Sequence, residues 1–104
     1  MSSPARDILE RLLQQGFSFR SFPAYPRHLG VEKYNCVALL ELTPEGQWSQ
    51  FGAAGYLLDE QIAQLVEREG RPTFVFKSKE LLAEGEPLES YRRFQQELRG
   101  ALEQ

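Results

Sequence analysis

The stretch Cys36-Val-Ala-Leu-Leu-Glu-Leu-Thr43 sets apolar side chains at five consecutive positions and then runs straight into Thr43-Pro-Glu-Gly46. Side chains on a strand alternate between faces, so an unbroken apolar run must be covered on both sides and belongs inside a sheet. Proline in second place and glycine in fourth fit a type I turn, which returns the chain at once along Gln47-Trp-Ser-Gln-Phe51. The chain is thereby committed to an antiparallel hairpin.

Helical periodicity marks both ends. Pro4 suits a first turn behind a Ser2 or Ser3 cap, and Ala5, Ile8, Leu9, Leu12 and Leu13 recur every three or four residues. Gly16 ends this helix. A left-handed glycine there places Phe17 where a Schellman motif returns an apolar contact to Leu12. Asp7 and Arg11, one turn apart, are spaced to pair. At the other end Pro87 opens a helix whose stripe is Leu88, Tyr91, Phe94, Leu98 and Leu102, with Glu89 and Arg93 spaced to pair.

Between these helices, residues 17–22 alternate as a strand that Pro23 and Pro26 confine to a sheet edge, with 23–26 extended. A polar loop is expected around 30–35. Gly52-Ala-Ala-Gly55 reads as the end of the hairpin's second arm, and Asp59 as the cap of a helix over 60–69 with Leu58, Ile62, Leu65 and Val66 on one face. The competing reading makes 62–68 a strand that turns at Glu69-Gly70-Arg71-Pro72 into a strand over Thr73–Lys77. Ser78 is read as capping a short helical turn through Leu81 and Leu82. The sum is an α+β protein, one domain over residues 1–104, with an antiparallel sheet of about four strands (five if 62–68 is a strand) flanked by the N-terminal and C-terminal helices.

A chain of 104 residues, 41% apolar, can bury one core without metal or disulfide. Its single cysteine, Cys36, forms no internal bridge, so a reducing, cytoplasmic setting is expected. The start lacks the apolar core of a secretion signal, and no apolar run approaches membrane-span length. Net charge is −3. Residues 1–36 carry five basic against three acidic side chains, a polarity too mild for a nucleic-acid footprint.

Chemistry concentrates in Phe17-Ser-Phe-Arg-Ser-Phe-Pro-Ala-Tyr-Pro-Arg-His28. Phe17, Phe19 and Phe22 are accounted for as core. Arg20, Tyr25, Arg27, His28, Lys33 and Tyr34 are the candidate binding residues, because rings and guanidinium groups dominate recognition surfaces and loops present them freely. They suit a protein partner's acidic side chain or a small anion. Pro23-Ala-Tyr-Pro26 has the bare spacing read by aromatic grooves, but its expected use is to stiffen a loop beside an edge strand.

Other groupings are weaker. A His28–Cys36 pair facing across the 30–35 loop has no orienting third group, and Cys36 at the start of an apolar strand reads as a small buried hydrophobe. One Cys and one His fall short of a structural zinc set, so no metal or cofactor is expected. Lys77-Ser78-Lys79 lacks a phosphate loop's glycines, and Gly52–Gly55 lacks its lysine. Glu80, Glu84, Glu86 and Glu89 read as a solvated surface, and Trp48 as core. A non-enzymatic binding or accessory protein is therefore expected. The alternative is a small-molecule-binding protein or minor enzyme with His28 as general base, Arg20 or Lys77 as electrophile, in a pocket between sheet and helices. A homodimer through strand edges or the 88–102 stripe is a third expectation.

Overall fold

The computed structural model describes residues 4–103. Helix α1 (Pro4–Gln14) leads into seven strands, β1 (Ser18–Arg20), β2 (Leu29–Lys33), β3 (Cys36–Leu42), β4 (Trp48–Leu58), β5 (Gln61–Arg68), β6 (Arg71–Phe76) and β7 (Lys79–Leu82), and the chain closes with helix α2 (Glu86–Leu102). Each strand pairs antiparallel with the next, giving one sheet in the order β1 to β7.

This corrects the expected sheet of four or five strands. Residues 29–33, read as loop, form β2; residues 60–69, read as helix, form β5; and the helical turn expected after Ser78 is β7. Tight turns are the reason. Four hairpins close over two residues each, at 34–35, 59–60, 69–70 and 77–78. In the first three both turn residues are left-handed: Tyr34 and Asn35 at φ 57° and 62°, Asp59 and Glu60 at 49° and 61°, Glu69 and Gly70 at 52° and 78°. That twist matches the right-handed twist of paired strands, so a residue read as a helix cap serves as a hairpin corner.

The sheet curls around α2. Phe17, just before β1, meets Phe94 edge-on at 5.7 Å, and Phe74 of β6 meets Tyr91 at 5.3 Å. In a flat sheet β1 and β6 lie about 24 Å apart, whereas Tyr91 and Phe94 are separated by about 4.5 Å of helix rise. Both ends can reach one helix turn only on a half-barrel. Ala38, Ala54, Ala63 and Ala83, all fully buried on the helix side, leave the volume that the Tyr91 and Phe94 rings occupy. The Leu88–Leu102 stripe is thus covered within the chain.

Strand β3 is buried on both faces, as its sequence demands: Cys36, Ala38 and Leu40 join the helix-side core, while Val37 and Leu39 join a smaller cluster with Phe22 and Leu57. The 43–46 turn forms as read, closed by the Gly46 N–H on the Thr43 carbonyl at 2.9 Å. So does the exit of α1, where Gly16 (φ 92°) donates to Leu13 at 3.1 Å and Phe17 to Leu12 at 3.0 Å. The Ser2 or Ser3 cap lies outside the described residues. Arg11 donates to the Ala101 carbonyl at 2.9 Å, tying α1 to the end of α2 rather than pairing with Asp7.

Strand β4 is the irregular one. Leu39 opposes Phe51 and Val37 opposes Gly55, so three residues of β4 stand against Ala38 alone. Gly52–Gly55 is therefore not a strand end but a bulge inside an eleven-residue strand. Buried Tyr91 donates its hydroxyl to the bulge carbonyl of Ala54 at 3.2 Å. Beyond the bulge β4 pairs with β5 through Gly55–Leu58; before it, no pairing with β5 occurs.

Candidate functional site

The 21–28 segment is not extended. Tyr25 donates its N–H to the Phe22 carbonyl at 2.9 Å, and His28 donates to Tyr25 at 3.2 Å, giving two successive turns with Pro23 and Pro26 each in second place. The three-residue spacing of the prolines makes Phe22, Tyr25 and His28 the corners, and all three rings gather over the sheet face remote from the helices. Phe22 is buried there against Gly30, where a Cβ would stand 2.6 Å from both the Phe22 ring and the Arg20 carbonyl. Glycine at 30 is what lets this loop lie down.

His28 stacks on Phe51 at 4.2 Å between ring centres, with Tyr25 edge-on at 6.2 Å. Its Nε2 lies 3.7 Å from the Glu41 carboxylate, and its buried Nδ1 has no partner among the described residues. Beside these rings runs a groove of about 150 Å³, floored by Val37 and Leu39, walled by Tyr25 and Phe51 on one side and by Ile62 and Gln64 of β5 on the other, with the Gly52–Ala53 bulge at its lip. Phe51 is 42% exposed and Tyr25 38%, so both rings present apolar surface beside the groove.

The six sequence-derived residues separate into three settings. Tyr25, Arg27 and His28 stay together on the turn-rich loop; Arg27 is exposed, with no ion pair or hydrogen bond among the described residues. Arg20 is engaged, donating to Glu32 at 3.1 Å and to Glu60 of the β4–β5 turn at 3.2 Å. Lys33 and Tyr34 belong to β2 and its turn, not to the irregular segment. Lys33 bonds Glu97 of α2 at 2.6 Å and the Gln15 carbonyl, and Tyr34 donates to Glu97 at 2.9 Å. The Glu97 bond raises the Lys33 pKa. Burial pushes the Glu97 carboxyl up, but the Lys33 and Tyr34 hydrogen bonds outweigh it and leave the pKa lowered. These two residues lock the β2–β3 turn onto the helix.

Other readings are relocated. Cys36 is sealed on the helix side, its thiol pushed up to about 12 by burial, while His28 lies on the opposite face, so the two do not face each other. The interior between sheet and helices is filled by Tyr91, Phe94 and Leu98, away from His28. Lys77 and Ser78 form a hairpin turn rather than a helix start, and Lys79 pairs with Asp59. Among the described residues no cluster of His, Cys, Asp and Glu has the makings of a metal site, and no helix is long and apolar enough to cross a membrane.

Phe51, Ile62, Val37 and Leu39 are not among the sequence-derived candidates, because their grouping depends on register. The usable signal was Phe51 followed by Gly-Ala-Ala-Gly, small residues that leave a ring uncovered. Comparison with protein-family models, curated proteins and solved structures yields no match for this chain.

Proposed function

We infer that this chain is a non-enzymatic binding or accessory protein that takes an apolar side chain of a protein partner into the groove between Tyr25, Phe51 and Ile62. What carries the reading is two partly exposed rings beside a small groove floored by Val37 and Leu39 on the sheet face that the helices leave open. Its size favours a protein over a small molecule: about 150 Å³ admits a single side chain, below the roughly 300 to 1,000 Å³ of ligand pockets. The charges point the same way. Of the three candidate cations, Arg20 and Lys33 are spent on internal carboxylates, while Arg27, two residues from Tyr25, is exposed and suited to an acidic side chain of the partner. The single buried Cys36 suits a reducing, cytoplasmic setting.

A photo-crosslinking residue in place of Phe51 tests this in cells of the source organism. One discrete adduct is expected, absent when the same residue replaces exposed Leu13 on α1 and lost on adding Tyr25→Ala, with stability within about 1 kcal/mol of the parent. Identical adducts from both positions remove the assignment.

A further inference from the structure

We propose that the unpaired edge of β4, Trp48 to Ala53, is a docking edge on which an extended segment of a partner protein adds as a further strand. The proposal rests on the groove reading and specifies the form of the partner. Of eleven residues in β4, only Gly55–Leu58 pair with β5, and β5 from Leu65 onward pairs only with β6. The sheet therefore forks at the bulge, and the side of β4 that faces the fork offers main-chain N–H and C=O groups without a strand partner. Gln50, Phe51, Gly52 and Ala53 are all exposed, and burial resumes at Ala54, next to the first β5 pair. The one hydrogen bond along this edge among the described residues is a local substitute, the Gln50 side-chain amide on the Gly52 carbonyl at 3.2 Å.

Exposed edges are normally blunted by charge, proline, shortness or a bulge. The outer edges here are: β1 has three residues and is followed by Pro23, and β7 has four residues beginning Lys79-Glu80. The β4 edge carries a bulge at 52–54, but Gln47 to Leu58 contains neither a charged residue nor proline, and over Trp48–Phe51 it keeps regular pairing with β3 on its other side. A backbone row of alternating donors and acceptors is satisfied in full only by another extended backbone, which is why the occupant is a strand rather than a helix or a compact ligand.

Side-chain recognition fits the same occupant. Side chains of an added strand point alternately to the two faces. On the open face they meet the Tyr25–Phe51–Ile62 groove; on the helix face they meet a second cavity, about 260 Å³, lined by Trp48, Gln95, Arg99, Leu102 and Glu103. The Trp48 indole N–H is buried there without an acceptor among the described residues, and Arg99 is exposed with its guanidinium unpaired among them. Trp48 and Arg99 donate while Glu103 of the same cavity accepts, so the helix-side position suits an amide, which does both, and the open-face position takes an apolar side chain.

The test uses the intact chain and a synthetic library of capped peptides about ten residues long, with Val, Leu or Phe alternating with Thr, Gln or Glu. Binders are expected to protect amides within Trp48–Ala53 from hydrogen exchange. N-methylation of alternate peptide residues should weaken binding about tenfold in one phase and leave it unchanged in the other. Absence of any binder, protection at β1 or β7 instead, or equal effects in both phases overturns the proposal. So does protection of the β4 edge in concentrated free protein that sediments as a dimer, which gives the edge to a second copy. Binders that keep the methylation phase but are indifferent to Phe51→Ala and Tyr25→Ala refute the groove reading alone.

Discussion

A single carboxylate decides how the β2–β3 turn is held. Glu97 accepts from Lys33 at 2.6 Å and from Tyr34 at 2.9 Å, and Arg93 stands over the Tyr34 ring at 5.7 Å. Its pKa lies below the ordinary 4.5, so the unfolded chain binds a proton more readily and the contact's stability is present above that value and lost as pH falls through the folded one. Lys33 lies above 10.5, so its share is present below that value and lost as pH rises through the folded one. Glu97→Gln should cost about 1 kcal/mol at neutral pH, a partly exposed pair being worth no more, and the difference should shrink below about pH 4. Urea titrations at several pH values read this directly; a pH-independent difference contradicts it. Lys33 and Tyr34 were legible as chemistry-bearing side chains. That their partner would be Glu97, 64 and 63 residues away, was not, because nothing local to either segment encodes that approach.

At the scale of elements, local signals with one meaning held and those with two failed. The Schellman exit at Gly16, the Thr43–Gly46 turn and the apolar run of β3 each rest on geometry complete within a few residues. Residues 60–69 instead carry Ile62, Ala63, Leu65 and Val66, which fit a helix face as well as a strand covered on both sides. The deciding feature is the left-handed Asp59-Glu60 pair, which residue type announces only weakly, since aspartate tolerates that conformation but glutamate does not favour it. The same strain recurs at Glu69, held at φ 52°. Glu69→Asn, supplying a residue that tolerates this conformation, should stabilise the protein by about 0.5 to 1 kcal/mol, seen as a raised urea midpoint with unchanged slope. An unchanged midpoint means the β5–β6 corner is not strained. The two prolines of the 22–28 loop were legible as stiffening, but their product, rings at 22, 25 and 28 laid on the sheet, required Gly30 beneath them.

For the molecule as a whole, α2 is the element around which the curl closes, and Phe94 is its centre, fully buried and in contact with Phe17 ahead of β1. Phe94→Ala should cost about 3 to 5 kcal/mol, a large part of a small domain's roughly 5 to 15. Hydrogen exchange should show protection falling together in β1–β2 and in β6, because both ends of the sheet lean on one helix turn. Loss confined to one end would argue for a flat, independently packed sheet. Periodicity and turn chemistry within a dozen residues suffice for the terminal helices with their apolar stripes, the doubly covered β3 and the hairpin beyond it. The strand count, the curl, the fork at β4 and the meeting of Tyr25, Phe51 and Ile62 come from long-range packing, since these depend on register and on which distant faces share a core, and a local pattern carries neither.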